Sequence, residues 1–264
     1  MPKSSLADPS PHIHANVAAA LDEDLRTGDL TAQLIPEHTQ AHAMIITRQD
    51  AVLCGTLWFE ACFLSIDPGC KIQWSAQESE LVQPGQQLCE VKGKARAMLT
   101  AERSALNFLQ TLSGTATLVR RYVDAVAGIN VKIMDTRKTL PGLRMAQKYA
   151  VRTGGGHNQR TGLFDGILIK ENHILTAGGI RPALQQAFRL APEDVPIQIE
   201  VEKLEQLREA LDAGAKLILL DNFDLADMRA AVTLAAGRAK LEASGGITLE
   251  NVRLVAGTGV DRIS

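Results

Sequence analysis

The chain has 264 residues, 45% of them apolar and 22% charged, which is ordinary for a globular protein and long enough for a small domain plus a barrel-sized one. The formal net charge of -2 gives no overall field to recruit nucleic acid or an anionic membrane surface, so any anion binding must come from local clustering. No apolar run reaches the length of a membrane span, and residues 1–10 lack the basic-then-apolar order of a signal peptide, so a cytoplasmic location is expected.

The first part of the chain reads as mixed α and β. An amphipathic helix is expected over 15–25, strands over 43–47 and 71–76 where apolar and polar residues alternate, and a helix over 56–64. Val82-Gln83-Pro84-Gly85 is a turn signal, followed by a strand near 87–92. Two helices, 97–112 and 116–127, are expected on either side of Ser113-Gly114. Cys54, Cys62, Cys70 and Cys89 form no C-x-x-C pair and lie near no His at zinc spacing. They are expected as buried small apolar residues. His12 and His14 have no Cys or carboxylate beside them and read as a solvated end.

After Gly128 the pattern changes. Short apolar runs at 131–134, 166–169, 197–201, 217–220, 240–243 and 260–263 alternate with helical segments such as 204–213 and 225–235, and a weak run lies near 150–153. Apolar strands alternating with helices predict parallel βαβ units. About seven units suggest a closed barrel, with an open doubly wound sheet as the alternative. Asp135, Lys170, Glu200 with Glu202, Asp221 and Ser244 stand at or just past the C-terminal ends of these runs. In α/β barrels that edge carries the chemistry; the plainer reading is that they are solvated loop starts.

Between Thr136 and Phe164 the chain carries Arg137, Lys138, Arg144, Lys148, Arg152 and Arg160 and no Asp or Glu. That predicts a local positive potential in a nearly neutral protein. Arg144, Lys148 and Arg152 repeat every four residues on one helix face, which suits either a bound polyanion or open solvent. Gly154-Gly155-Gly156 permits close backbone approach to a carboxylate or phosphate, as flexible loops also do. Ser244-Gly245-Gly246-Ile247-Thr248 reads as strand, tight turn and helix start, a ready phosphate site. Glu200 and Asp221, at neighbouring strand ends, suit either Mg²⁺, which takes one or two carboxylates plus substrate oxygens and waters, or neutralisation of Lys170 and the arginines. No His stands in a convincing general-base pair; His157 and His173 read as structural or as hydrogen-bonding groups.

As a set, Asp135-Thr136-Arg137-Lys138-Thr139, Gly154-Gly155-Gly156 through Arg160, Leu168-Ile169-Lys170-Glu171-Asn172-His173, Ile199-Glu200-Val201-Glu202, Leu220-Asp221-Asn222-Phe223 and Ser244-Gly245-Gly246 occur in the order of one family, as does Ala101-Glu102-Arg103-Ser104-Ala105-Leu106-Asn107. Over nearly its whole length the chain resembles carboxylating quinolinate phosphoribosyltransferase. The resemblance implies an N-terminal α/β sandwich domain over 1–112 and a seven-stranded α/β barrel over 113–264. It implies transfer of phosphoribosyl from phosphoribosyl pyrophosphate to quinolinate with decarboxylation, Mg²⁺ as cofactor, and a homodimer in which Arg103 reaches across the interface. Matched residue by residue, the dicarboxylate site falls on Arg103, Thr136, Arg137, Lys138, Arg160 and Lys170. Glu200 and Asp221 match the pair for ribose hydroxyls and metal, Ser244, Gly245 and Gly246 match part of the phosphate site, and catalysis is placed on Lys138, Lys170, Glu200 and Asp221.

Two departures stand out. The family often has Asn-His-Arg where this chain has Asn158-Gln159-Arg160, so a charged role at that position is not expected here. The family also continues past the last strand with a small-residue loop that completes the phosphate site, whereas this chain ends at Ser264, so that part of the site is expected to be missing. Three other readings share some of these features: a nicotinate phosphoribosyltransferase without decarboxylation, a Schiff-base aldolase using Lys170, and a non-catalytic binding paralogue.

Overall fold

A computed structural model describes residues 10–264; the stretch 1–10, read above as lacking a leader's pattern, lies outside them except for Ser10. The chain divides into two compact units, the first made of residues up to Arg120 together with Thr139–Gly155, the second of Arg121–Lys138 and Gly156–Ser264.

The first unit opens with α1 (Ser10–Leu25), which begins earlier than the apolar spacing predicts and carries His12 and His14 on its exposed face. An antiparallel sheet follows, built from β1 (Gln40–Ile46), β3 (Lys71–Trp74) and β5 (Gln87–Lys94) in the order β1-β5-β3, with a separate ribbon of β2 (Ala51–Val52) and β4 (Leu81–Val82). The helices are α2 (Thr56–Ile66), α3 (Ala95–Ala125) and α4 (Arg144–Thr153). Trp58 and Phe59 of α2 are fully buried with Ala101, Ala105 and Leu112 of α3, and Cys54, Cys62, Cys70 and Cys89 are buried free thiols.

Two expectations fail here. Ser113-Gly114 does not break a helix: α3 is continuous, because Ser113 Oγ accepts from Cys54 N at 3.0 Å and donates to Cys54 O at 3.1 Å. Such tertiary bonds offset the roughly 1 kcal/mol that a helical glycine costs. The weak run at 150–153 belongs to α4 and is no strand.

The second unit contains six parallel strands, β6 (Lys132–Ile133), β7 (Ile167–Ile169), β8 (Ile197–Val201), β9 (Leu217–Asp221), β10 (Lys240–Ser244) and β11 (Arg262–Ile263), in the order β6-β11-β10-β9-β8-β7. The helices α5 (Glu171–Ala177), α6 (Ile180–Leu190), α7 (Leu204–Asp212), α8 (Leu225–Ala235) and α9 (Val252–Ala256) lie between strands. From β7 to β11 each strand is followed by its neighbour without reversal, unlike a doubly wound sheet, and β6 pairs with the last strand. A single parallel bridge joins Met134 to His157.

Register separates the two faces of this sheet. Glu200 pairs with Leu219, Leu219 with Glu242, Glu242 with Arg262, and Arg262 with Lys132. Alternate residues of a strand share a face. Ile199, Ile218, Leu220, Leu241, Ala243 and Ile263 therefore form one side, buried with Leu184 of α6, Leu207 of α7 and Met228 of α8. Gln198, Glu200, Asp221, Glu242, Ser244 and Arg262 belong to the other, polar side.

Candidate functional site

Two segments laced together bring the first pair of cations into one place. His157 N donates to Ile133 O at 2.8 Å and Asp135 N to His157 O at 2.9 Å, so the chain after β6 runs beside residues 157–159. The Asp135 carboxylate accepts from Asn158 Nδ2 at 2.5 Å and from Gln159 N at 2.8 Å. Asp135, which its strand-end position marked as a possible site group, thus works as a clamp. Arg137 and Arg160 follow directly after the laced region. Burial, and next the charge of Arg137, push the Arg160 guanidinium below its ordinary value, while Asp165 opposes this. Like charges that crowd each other in this way favour an anion between them.

Arg160 is fixed in detail. Its Nη1 donates to Gly166 O at 3.0 Å, and a Cβ on Gly166 would come within 2.9 Å of Arg160 Cβ, so only glycine lets the arginine lie there. Asp165 accepts from Thr161 N at 2.7 Å and Gly162 N at 2.8 Å, closing the loop beside it. Thr136 Oγ1 accepts from Lys138 N at 3.0 Å, shaping the turn that carries Arg137 and the exposed Lys138.

The second grouping is at the C-terminal edge of β7 to β10. Lys170 Nζ lies 3.2 Å from Glu200 Oε2, with the lysine side chain 52% exposed and the glutamate 16%. Asp221 ends β9 opposite Ser244 of β10, on the same face as Glu200 and one strand over. Asn222 adopts a left-handed backbone (φ 55); its N–H donates to Ser244 O at 2.9 Å and its Nδ2 to Asp221 Oδ2 at 3.0 Å. Gly245, at φ +97, passes so close to Asn222 that a Cβ would collide with the amide.

Not every expectation survives. The Gly-rich loop does not run into a helix start: α9 begins only at Val252 and has five residues. Asn251 makes a turn first, accepting from Thr248 N and donating to Gly246 O, each at 2.8 Å. Arg144, Lys148 and Arg152 belong to the first unit and are no open basic face: Lys148 is 3% exposed, Arg144 Nε donates to Thr139 Oγ1 at 3.2 Å, and Arg152 lies over the Tyr149 ring. Gly154 serves packing, since a Cβ would strike Ala116 O and Val119. Arg103 is exposed on α3, in the first unit.

The histidines are structural. His173 Nδ1 accepts from Lys170 N at 3.0 Å and caps α5. Burial, then Lys132 and Arg262, hold His157 below the usual imidazole range. Among the described residues no cluster of three or more His, Cys, Asp or Glu forms a metal cage by itself. The sequence reading missed Glu242, a buried acid within an apparently apolar run; its signal was the two-residue spacing to Ser244.

Comparison with known proteins follows the same division. A family model described as quinolinate phosphoribosyl transferase, N-terminal domain, matches residues 29–113, and its C-terminal counterpart matches 115–264. The chain is 43% identical over 258 residues to a carboxylating nicotinate-nucleotide pyrophosphorylase of Mycobacterium leprae, covering 94% of this chain and 89% of that one. It is 36% identical over 284 residues to a chloroplastic enzyme of the same name from Oryza sativa, covering 100% and 76%. The solved nicotinate-nucleotide pyrophosphorylase of Francisella tularensis superposes with a TM-score of 0.94 at 43% identity, over 97% of this chain and 91% of that one.

Proposed function

The chain belongs to the quinolinate phosphoribosyltransferase family, and from that premise we propose that it converts quinolinate and phosphoribosyl pyrophosphate to nicotinate mononucleotide, pyrophosphate and CO₂ for NAD biosynthesis. The observation that carries this is the crowding of Arg137 and Arg160 in the same unit as Lys170, Glu200 and Asp221, a charge pattern that two anionic substrates would complete.

Arg137 and Arg160 bind the pyridine carboxylates through paired hydrogen bonds, which fix the ring plane as well as neutralising charge. Lys138, Lys170 and Thr136 extend that pocket, and Arg103 reaches it from a second copy of the chain in a cytoplasmic homodimer. The ring nitrogen attacks the anomeric carbon as the bond to pyrophosphate breaks. Positive charge growing on the ribose is met by Glu200 and Asp221, which also hold its hydroxyls. Ser244, Gly245 and Gly246 take the phosphate. The 2-carboxylate then leaves as CO₂; its bonding electrons fall to the ring carbon beside the cationic nitrogen, which is protonated. The protein's part is positioning and charge matching.

Glu200 and Asp221 suit Mg²⁺. They are two hard carboxylates on one face of neighbouring strands, each with one oxygen outside its printed contact with Lys170 or Asn222. When bound, the ion neutralises the departing pyrophosphate. The strand order and the Met134–His157 bridge support a seven-stranded closed barrel, with the segment at His157 as the seventh strand between β6 and β7. The Lys170–Glu200 pair speaks against the aldolase reading, since an ammonium held by a carboxylate has no lone pair for imine formation. Incubation with quinolinate, phosphoribosyl pyrophosphate and Mg²⁺ tests the proposal: nicotinate mononucleotide and CO₂ must appear in equal amounts, and product from nicotinate instead, without CO₂, would establish the non-decarboxylating reading.

A further inference from the structure

Glu242 is 1% exposed. It stands on the polar face of β10, two residues before Ser244, paired in register with Leu219 on one side and Arg262 on the other. Gln159 Nε2 donates to Oε1 and Gln198 Nε2 to Oε2, the latter at 3.1 Å; the Ser264 side chain and the charge of Arg262 act on it as well. A carboxylate withdrawn from water is costly unless its acceptor sites are filled. Here they are filled from three separate segments. The apolar face of the same strand shows that sheet packing alone needs only Leu241 and Ala243.

Gln159 is gripped at both ends, its backbone N–H by Asp135 and its side chain by Glu242. The next residue is Arg160, whose guanidinium is tied to Gly166 O. We propose that Glu242 is a positioning residue for quinolinate: by holding Gln159 from beneath the site it fixes residues 158–160, and so sets where the Arg160 guanidinium meets a carboxylate. This rests on the reading of the preceding subsection. A two-bond guanidinium–carboxylate contact tolerates little error, and a misplacement of about 1 Å costs on the order of a hundredfold.

The carboxylate form is the one that accepts from both amides. Burial pushes the Glu242 carboxyl up, while Ser264, Gln198, Arg262 and Gln159 pull it back; β9 contributes only the apolar Leu219, and Lys132 of β6 lies beyond Arg262 in the same row. Protonation turns one acceptor into a donor facing an amide N–H and releases Gln159. Quinolinate KM therefore rises on the acid side, within a window starting above the ordinary glutamate range.

Steady-state kinetics of the full chain test this with Glu242→Gln, Gln159→Ala and the double variant. Glu242→Gln is expected to raise quinolinate KM about ten- to hundredfold, the worth of a hydrogen bond to a charged group. It should leave the KM for phosphoribosyl pyrophosphate unchanged and abolish the acid-side rise. The double variant should be no worse than the more damaged single one, because the two residues act as a unit. An unchanged quinolinate KM in Glu242→Gln, or single effects that multiply in the double variant, overturns the proposal. Should Glu242→Gln not fold, Gln159→Ala decides alone: a raised quinolinate KM at unchanged Tm supports the coupling, and an unchanged KM ends it. A wild type that binds quinolinate by calorimetry but does not turn over sinks only the functional reading, and the same variants are then compared by Kd. A wild type that does not bind quinolinate overturns both.

Discussion

Lys170 Nζ sits 3.2 Å from Glu200 Oε2, so a cation assigned to the dicarboxylate and an acid assigned to the ribose and metal are joined before either substrate arrives. With the lysine half exposed, the pair is worth only about 0.2–1 kcal/mol of stability. Lys170→Ala should therefore lower Tm by no more than about 2–4 °C while cutting kcat/KM by about thirty- to several-thousandfold, the range for unpairing a site charge. Melting curves and initial rates on one preparation give both numbers. A loss of activity fully explained by unfolding would return Lys170 to a structural role.

Arg137 and Arg160 predict the opposite balance. Each stands in the other's field, so removing one relieves repulsion in the free protein. Arg160→Ala and Arg137→Ala should melt no lower than wild type without ligand, yet lose the rise in Tm that quinolinate produces by binding the folded state. Turnover should fall by about 2–5 kcal/mol in transition-state terms. Near wild-type turnover in either variant would remove that arginine from the site.

Why these pairs form was only partly legible in the sequence. The alternation of apolar runs with helices after Gly128 is a direct consequence of burying one sheet face under helices, so the strands were readable. The polar alternation inside those runs was not, because Glu242 and Gln198 sit among residues whose average is apolar. The basic stretch 136–164 looks like one patch, but the fold assigns 139–155 to one unit and the rest to the other; charge adjacency along a chain says nothing about which unit packs a helix. Asp135 shows the same limit, since backbone N–H groups that capture a carboxylate leave no mark in composition.

Asp165 gives a pH test with a definite sign. Burial alone would raise its carboxyl, but the hydrogen bonds from Gly162 and Thr161 outweigh burial and hold it below the usual value of 3.8. A lowered folded pKa contributes stability that is present above the unfolded value and lost as pH falls through the folded one. The stability gap between wild type and Asp165→Asn should thus stay constant at neutral pH and shrink as pH drops below 3.8. Glu242 has the reverse sign, because burial raises it: its protonated form favours the fold, and its contribution declines as pH rises through a window above 4.5. Urea titrations of each variant across pH separate the two.

Gly245 tests the phosphate loop. At φ +97, with the Asn222 amide in the way of any Cβ, Gly245→Ala should cost about 1–3 kcal/mol from backbone strain and weaken binding of phosphoribosyl pyrophosphate. Adding Asn222→Gly removes the colliding side chain and should recover part of the loss in affinity, while the strain from positive φ remains. If Gly245→Ala binds phosphoribosyl pyrophosphate as wild type does, the loop does not hold phosphate.

Arg103 is exposed on α3, which fits a side chain that acts on another copy of the chain. If it completes a partner's dicarboxylate pocket, Arg103→Ala and Arg160→Ala are each nearly inactive alone, yet their mixture contains hybrid dimers in which one pocket has both arginines intact. With free exchange of subunits, half the dimers are hybrids and each holds one complete pocket, so about a quarter of wild-type activity should return if the sites are independent. The readout is product formation after mixing, with exchange followed by mass-tagged subunits. Full exchange without recovery would show that Arg103 serves its own chain's pocket, or none.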